Sequence, residues 1–273
     1  MMVGGLKSLQ PMPHVVALYR YPVKGFTPEE CDTLTVLAEG RIAGDRVLGV
    51  RFADTDAADD AWSRKRSMVA LMNTPGLARL NVRFDETTFR LHISLGTSVL
   101  ADELLNPEGR KRIGSVLADY ALKLDENPLT GHPERLPLRV IGDGHSPRYH
   151  DEPAGRVTLH SRGSLQALQS AIGNEVNELR FRSNIAVDGL TAWEEQNWIG
   201  RKIHIGAVKF DVVKSKTRCL ATHANPVTGE RDLAILTTLT QKMGQKNPTF
   251  AVAMLPSGDG GKIRIGDQVT LLD

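Results

Sequence analysis

The chain has 273 residues and a mass of 29.9 kDa, with 41% apolar and 24% charged residues. This composition is typical of a globular protein with one large domain or two smaller ones, and it excludes a disordered chain. The 34 basic and 32 acidic residues give a net charge of +2, which argues against binding of nucleic acid or an anionic membrane through bulk charge.

Cysteine content and hydropathy exclude further classes. Cys31 and Cys219 are the only cysteines in the sequence, so a disulfide scaffold and a four-cysteine iron–sulfur cluster within one chain are excluded. No apolar run approaches the roughly 20 residues that span a bilayer, and residues 1–13 lack the apolar core of a signal peptide. We therefore expect a cytoplasmic location, with no membrane or nucleic acid as a partner.

The first half of the chain contains short runs rich in β-branched residues, separated by turn signals. These runs cover residues 14–23, 33–38, 46–52, 79–84 and 89–95. They predict an antiparallel β domain. Residues 110–124 then place their apolar side chains on one helical face, and loop-like stretches at 126–137 and 142–155 mark a domain boundary.

The second half also reads as mostly β. A strand at 156–160 precedes a helix for which Ser161 is a good N-cap. The pattern of residues 202–206 recurs at 262–266, and each copy precedes another strand, which predicts two hairpins. With one more helix near 231–244, the sequence predicts a mostly β fold with a few helices, of the α+β class.

Cys219 is the strongest candidate for chemistry. It follows a predicted strand, and three basic residues stand within five positions before it: Lys214, Lys216 and Arg218. Positive charge lowers the pKa of a thiol and favours the thiolate, which is a nucleophile and a metal ligand. A small buried apolar side chain is an equally open interpretation of a single cysteine. Cys31 lies among acidic residues, which favours a structural role.

Two other chemistries stay open from the residues alone. His223 and Asn225 follow Cys219 closely, which permits a Cys/His/Asn hydrolase. A zinc site would need scattered histidines, of which His145, His150 and His160 come nearest to a cluster. The glycine-rich loops that bind nucleotide phosphates are absent from the sequence.

Several basic residues stand singly near predicted strand ends or turns. They are Lys24, Arg46, Arg64, Arg180 and Arg182. Arginine binds phosphate through two parallel hydrogen bonds, so a few of these side chains that converge would form an anion pocket.

Longer motifs resemble a known family. Residues 181–206 (FRSNIAVDGLTAWEEQNWIGRKIHIG) and 217–230 (TRCLATHANPVTGE) resemble the MOSC domain, the C-terminal module of molybdenum-cofactor sulfurases. Residues 19–25 (YRYPVKG) and 40–46 (GRIAGDR) resemble the β-barrel domain that precedes it in relatives of the mitochondrial amidoxime-reducing component. The resemblance implies an N-terminal β-barrel domain over 14–125, packed on a MOSC β-barrel domain over 126–273.

The resemblance also implies a cofactor, the molybdenum-pyranopterin. Cys219 matches the cysteine that ligates the metal and is therefore the implied catalytic residue. The positions that match cofactor-binding residues of the family are Lys24, Arg46, Arg64, Arg182, Asn184, Arg218 and Thr222. The implied activity is the reduction of N-hydroxylated compounds, or of related N- or S-oxides, as small-molecule substrates. Pyridoxal phosphate binding is also attributed to the family, but no Schiff-base lysine motif in this chain supports it.

The sequence departs from the family pattern at three places, each of which bears on the substrate pocket. Gly25 stands where relatives often have Ser or Cys, Ser183 replaces a Pro, and Asn225 replaces an acidic residue. We expect no ferredoxin-like extension, so electrons would come from a separate reductase or iron–sulfur protein. The alternative function is a non-catalytic carrier of the cofactor, or of sulfur as a Cys219 persulfide.

Overall fold

The computed structural model describes residues 12–272, so most of the 1–13 segment lies outside the described residues. The strands of this part are β1 (His14–Arg20), β2 (Glu29–Glu30), β3 (Thr33–Leu37), β4 (Gly49–Arg51), β5 (Leu80–Asp85), β6 (Arg90–Leu95), β7 (Ser98–Leu104), β8 (Arg139–Ile141), β9 (Val157–Ser161), β10 (Ile185–Asp188), β11 (Lys202–Ile205), β12 (Val208–Thr217), β13 (Thr249–Pro256), β14 (Gly260–Arg264) and β15 (Val269–Leu271). The helices are α1 (Pro107–Leu122), α2 (Arg162–Ile172) and α3 (Ile235–Thr237), the last of which continues as a π-helical turn over Thr238–Lys242. The prediction of a mostly β fold with a few helices is confirmed.

A large curled sheet of eight strands forms the centre of the fold. Its strand order is β15-β11-β12-β13-β9-β10-β1-β2, and the β9–β10 pair is parallel. All five residues of β9 are buried, as expected of a central strand with a covered sheet face on both sides. One core cluster is built from this sheet, with Phe210 and Met254 among its fully buried members.

The second core lies in the first half of the chain. Strands β5, β6 and β7 form an antiparallel meander, and β5 alternates strictly between buried and exposed residues. Helix α1 packs on this meander and on β8 through one apolar face that includes Ile113 and Leu117. Its N-terminus is capped by the Asn106 side chain, which accepts from the Gly109 amide, and Pro107 occupies the first helical position.

Three strand pairings connect the two halves of the chain. Strand β1 pairs with β10, β3 pairs with β14, and β4 pairs with β8. These pairings cross residue 125, so the N-terminal segment contributes strands to the C-terminal sheet. The division into domains over 14–125 and 126–273 stays a prediction.

The two predicted hairpins have different outcomes. Strands β11 and β12 form an antiparallel hairpin, as predicted. The second prediction is wrong, because β14 pairs with β3 and β15 pairs with β11 instead of with each other. Both strands find longer-range partners whose edges the local pattern does not reveal. Over residues 12–272, no helix combines the length and the apolarity needed to cross a bilayer.

Candidate functional site

Cys219 lies at the point where the longest strand of the sheet ends. Strand β12 stops at Thr217, and Cys219 is the N-cap residue of a 3₁₀ turn over Leu220–His223. The backbone amide and the hydroxyl of Thr222 both donate to the Cys219 carbonyl, at 3.0 and 2.9 Å. The thiol is free and partly exposed. The Cys219 sulfur is thus held on a short, closed turn just after the end of an interior strand.

A cavity beside Cys219 receives side chains from both halves of the chain. Its charged and polar lining residues are Lys24, Arg46, Lys65, Tyr149, His150, Asp151, Glu152, Arg156, Thr158, Arg180, Arg182, Lys216, Thr217, Arg218, Cys219 and Thr222. Eight of these side chains are basic and two are carboxylates. The cavity therefore carries an excess of positive charge next to one thiol, an arrangement that favours an anionic ligand.

Lys24 places a buried cation in this cavity. The residue is only 4% exposed, and its Nζ donates to the Tyr149 carbonyl at 2.8 Å and to Asp151 Oδ1 at 3.1 Å. Burial lowers the pKa of Lys24, and Arg46 and Arg182 lower it further, against the opposing effect of Asp151. The neighbouring Gly25 has a φ of +82°, and a Cβ there would lie 2.5 Å from the Ala70 Cβ. The absence of a side chain at Gly25 is thus required by the local packing.

Arg46 and Arg182 meet at one aromatic ring. Their guanidinium carbons lie 4.6 and 4.4 Å from the centroid of the fully buried Tyr21 ring. Arg46 also pairs with Asp45 and donates to the Arg182 carbonyl at 3.2 Å, while Arg182 donates to the Phe26 carbonyl. Burial, followed by repulsion from Arg46, lowers the pKa of Arg182 to about 10. Each arginine has a positive φ, at 55° and 52°, a strained conformation that functional sites often retain.

Arg218 adds a third buried guanidinium directly before the cysteine. It donates to the Phe250 carbonyl through Nε at 2.6 Å and to the Phe181 carbonyl at 2.8 Å. Burial lowers its pKa to about 10. These bonds fix the group beside Cys219, and no carboxylate pairs with it in the described part of the chain.

Two of the residues implied by the resemblance lie outside the cavity. Arg64 is exposed and does not line the cavity, whereas the next residue, Lys65, does. Asn184 is fully buried and holds strands together: its Oδ1 accepts from the Thr158 amide at 3.2 Å, and its Nδ2 donates to the Tyr19 carbonyl at 3.2 Å. The other implied residues, Lys24, Arg46, Arg182, Arg218, Cys219 and Thr222, line one cavity.

Sequence reasoning missed Lys65 and Asp151, and it considered Lys216 only as a charge near Cys219 and His150 only as a candidate zinc ligand. Burial, with a contribution from Arg46, lowers the pKa of His150 to about 3, so the ring is neutral. Lys216 could have been found from its position two residues before Arg218 on the same strand face. The loop of residues 149–152 carries no local signal, because only the tertiary fold brings it to the cavity.

The rival chemistries find little support in the geometry. His223 Nε2 accepts from the Leu236 amide at 3.3 Å, and the Asn225 side chain accepts from the Val227 amide and donates to Asp232. Neither side chain forms a hydrogen bond with Cys219. Residues 12–272 contain no cluster of three or more His, Cys, Asp or Glu side chains suited to a metal ion. A metal at Cys219 would therefore have to bring most of its own ligands.

Comparisons with known proteins agree with the motifs. The MOSC domain family matches residues 146–270. Molybdenum cofactor sulfurase of Caenorhabditis elegans is 33% identical over 117 residues, which are 42% of this chain and 16% of that protein. Mitochondrial amidoxime-reducing component 1 of Mus musculus is 31% identical over 121 residues, which are 41% of this chain and 35% of that protein.

Solved structures include the YUAD protein of Bacillus subtilis, which is 10% identical and matches 96% of each chain with a TM-score of 0.43. The chain covers well under half of the length of the two relatives above, the C. elegans sulfurase and the M. musculus amidoxime-reducing component. The family match and the motifs around Cys219 agree on the same segment. Residues 146–270 of this chain match the MOSC domain family, and the chain is similar over about two fifths of its length to segments of molybdenum cofactor sulfurases and of amidoxime-reducing components.

Proposed function

We propose that this chain binds the molybdenum-pyranopterin cofactor, with the Cys219 thiolate as the protein ligand of the metal. The observation that carries the proposal is one partly exposed thiol at a cavity lined by eight basic side chains and two carboxylates. A thiolate is a soft ligand that suits such a metal, and a ligand-rich cofactor suits a site with a single protein donor. The excess of cations suits the cofactor's phosphate.

The basic residues that would bind the cofactor come from both halves of the chain. Lys24, Arg46 and Lys65 approach from the first half of the chain, and Arg182 and Arg218 approach from the second half. Because the guanidinium groups of Arg182 and Arg218 are already fixed by carbonyl groups, they lose little side-chain freedom when an anion binds. We propose that the segments over 14–125 and 126–273 act as two domains that share this one site.

For the loaded protein we propose the reduction of N-hydroxylated compounds, with amidoximes as the model substrate. One amidoxime, two electrons and two protons give one amidine and one water. The cofactor supplies the two-electron redox change, while the chain binds, orients and shields it. The electrons would come from a separate reductase or iron–sulfur protein, because the two cysteines of this chain cannot hold a four-cysteine cluster.

A carrier role is the second candidate. The C. elegans relative is named a molybdenum cofactor sulfurase and is 33% identical over 117 residues, and the MOSC family match of this chain contains Cys219. In this role Cys219 would hold a persulfide or pass the cofactor on, without turnover of an organic substrate.

One experiment separates the two functions. The chain is expressed in a host that makes the pterin and in one that does not, and both preparations are tested for amidine formation with a reduced viologen dye as electron donor. Amidine formation only by the molybdenum-containing preparation supports the reductase. Bound molybdenum or sulfane sulfur without amidine formation overturns the reductase and supports the carrier.

A further inference from the structure

The backbone that follows Cys219 is held at every carbonyl from Cys219 to His223. The Cys219 carbonyl accepts from Thr222, and the Ala221 carbonyl accepts from the Ala224 amide at 3.3 Å. The carbonyls of Leu220, Thr222 and His223 accept from arginine side chains instead of from the turn itself. A short turn thus depends on two side chains that come from outside it.

Arg180 holds this turn from its buried side. Its Nη1 donates to the His223 carbonyl at 2.9 Å and lies 3.5 Å from the Thr222 carbonyl. Its Nη2 contacts both carboxylate oxygens of Asp232, at 2.7 and 2.9 Å, and the Arg180 side chain is only 2% exposed. Asp232 in turn accepts from Asn225 Nδ2 at 2.6 Å. The pair therefore joins the two ends of the 219–232 loop.

Arg231 holds the same turn from the other side. It donates to the Leu220 carbonyl at 2.5 Å and to the Met72 carbonyl at 2.7 Å. Its guanidinium also forms hydrogen bonds with Glu126 at 2.5 to 3.0 Å. Arg231 thus connects the residue after Cys219 to the first half of the chain, which supplies Lys24, Arg46 and Lys65 to the cavity.

We propose that Arg180, paired with Asp232, and Arg231 are positioning residues for the Cys219 sulfur. A buried ion pair contributes little net stability compared with apolar residues of the same volume, so stability alone does not account for Arg180. Its fixed fork of donors instead holds the backbone of residues 222–223 in place relative to Asp232. This positioning role rests on the proposed function, in which the Cys219 sulfur binds a metal that is held mainly by other groups.

The test uses Arg180→Lys and Arg231→Lys, each in a Cys31→Ser background so that Cys219 is the only thiol. Lysine keeps the charge but, as a single ammonium group, cannot reach two carbonyls and a carboxylate in the same geometry. The matched control is Arg110→Lys. Arg110 likewise binds three carbonyls, those of Leu105, Val140 and Gly142, but it does not line the cavity.

Amide hydrogen exchange of the cofactor-free protein gives the first readout. We expect the Thr222 and Ala224 amides, which close the turn, to exchange about tenfold faster in the two test variants, since each loses a charge-assisted hydrogen bond. Alkylation of Cys219 by iodoacetamide should change by a similar factor. In Arg110→Lys both rates should equal those of the background protein, even if its melting temperature falls.

Molybdenum content after expression in a pterin-making host gives the second readout. Faster exchange confined to residues 219–224, together with several-fold less molybdenum per chain, supports the positioning role. Exchange and alkylation rates equal to those of the background protein overturn it. If exchange accelerates but even the unsubstituted chain binds no molybdenum, the proposed function fails while the mechanical role of the arginines stands.

Discussion

Lys24 and Asp151 form an ion pair in which one partner is buried and the other reaches solvent. Lys24 Nζ lies 3.1 Å from Asp151 Oδ1, and the side chains are 5% and 53% exposed, respectively. Although desolvation opposes the effect, Lys24, Lys216 and Lys65 hold the pKa of Asp151 well below its usual range. The carboxylate is thus the anion that compensates a buried ammonium when no other anion is present.

Replacement of Asp151 by Asn should destabilise the protein at neutral pH. Asn leaves Lys24 with a neutral partner, and we expect a loss of about 1–2 kcal/mol in the free energy of unfolding, because the exposed carboxylate is partly screened. A lowered pKa means that the pair contributes stability above the ordinary pKa of Asp and loses it as the pH falls. The difference between the two proteins should therefore begin to shrink below about pH 4 and be smaller, though not abolished, at about pH 3. Urea unfolding at both pH values measures it, and equal stability at neutral pH would contradict this role of Asp151.

Two adjacent basic residues should differ in their effect on cofactor binding. Lys65 lines the cavity, whereas Arg64 is exposed outside it. We expect Lys65→Ala to lower the molybdenum content per chain several-fold and Arg64→Ala to leave it unchanged. Elemental analysis of both variants from one pterin-making host decides the point. A lower molybdenum content in Arg64→Ala alone would contradict this prediction and would show that Arg64, as the family resemblance implies, binds the cofactor.

Asn184 should affect stability more than cofactor binding. Its side chain is buried and joins the Thr158 amide to the Tyr19 carbonyl, so Asn184→Ala leaves buried polar groups without partners. We expect a loss of about 2–4 kcal/mol in the free energy of unfolding. Asn81→Ala, on the exposed face of β5, serves as the control and should change it by less than about 0.5 kcal/mol. An Asn184 variant of normal stability that binds no molybdenum would instead identify a cofactor ligand.

Glu195 should make the stability depend on pH. The residue is fully buried, its Oε2 accepts from the Ser164 hydroxyl at 2.7 Å, and its Oε1 has no partner in the described part of the chain. Burial raises the pKa of Glu195 to about 7. A raised pKa favours the neutral acid in the fold, so the contribution is present below the ordinary pKa of Glu. It is lost as the pH rises towards 7, at a cost of roughly 3 kcal/mol.

Glu195→Gln mimics the neutral acid and should remove this dependence. We expect the variant to be more stable than the unsubstituted chain at about pH 8 and similar to it at about pH 4. Urea unfolding across this range gives both curves. Parallel stability curves for the two proteins would show that Glu195 does not titrate between about pH 4 and about pH 8.

Local features of the fold could be predicted from the sequence. The Ser161 cap of α2 is confirmed, since its hydroxyl accepts from the Gly163 amide at 3.0 Å. The β11–β12 hairpin follows from alternation alone. The pairing of β14 with β3 could not be predicted, because more than two hundred residues separate the strands and the pattern of a strand does not name its partner.

For the site, the motifs identified six of the sixteen charged and polar residues that line the cavity. The resemblance to the MOSC family implies Cys219, Arg218 and Lys24, and all three line the cavity. The resemblance implies Arg64 instead of Lys65, because it carries no information on the 3₁₀ turn that begins at Lys65 and decides which side chain faces inward. Nor could it separate the role of Asn184 in strand packing from a role in binding.

Molybdenum content of the Cys219→Ser variant tests the central claim most directly. Cys31→Ser is the matched control, because it removes the other thiol of the chain while leaving the cavity lining unchanged. After expression in a pterin-making host, we expect about one molybdenum per chain in the unsubstituted protein and in Cys31→Ser, and almost none in Cys219→Ser. Equal molybdenum in Cys219→Ser, or none in the unsubstituted protein, would contradict the assignment of this sulfur to the metal.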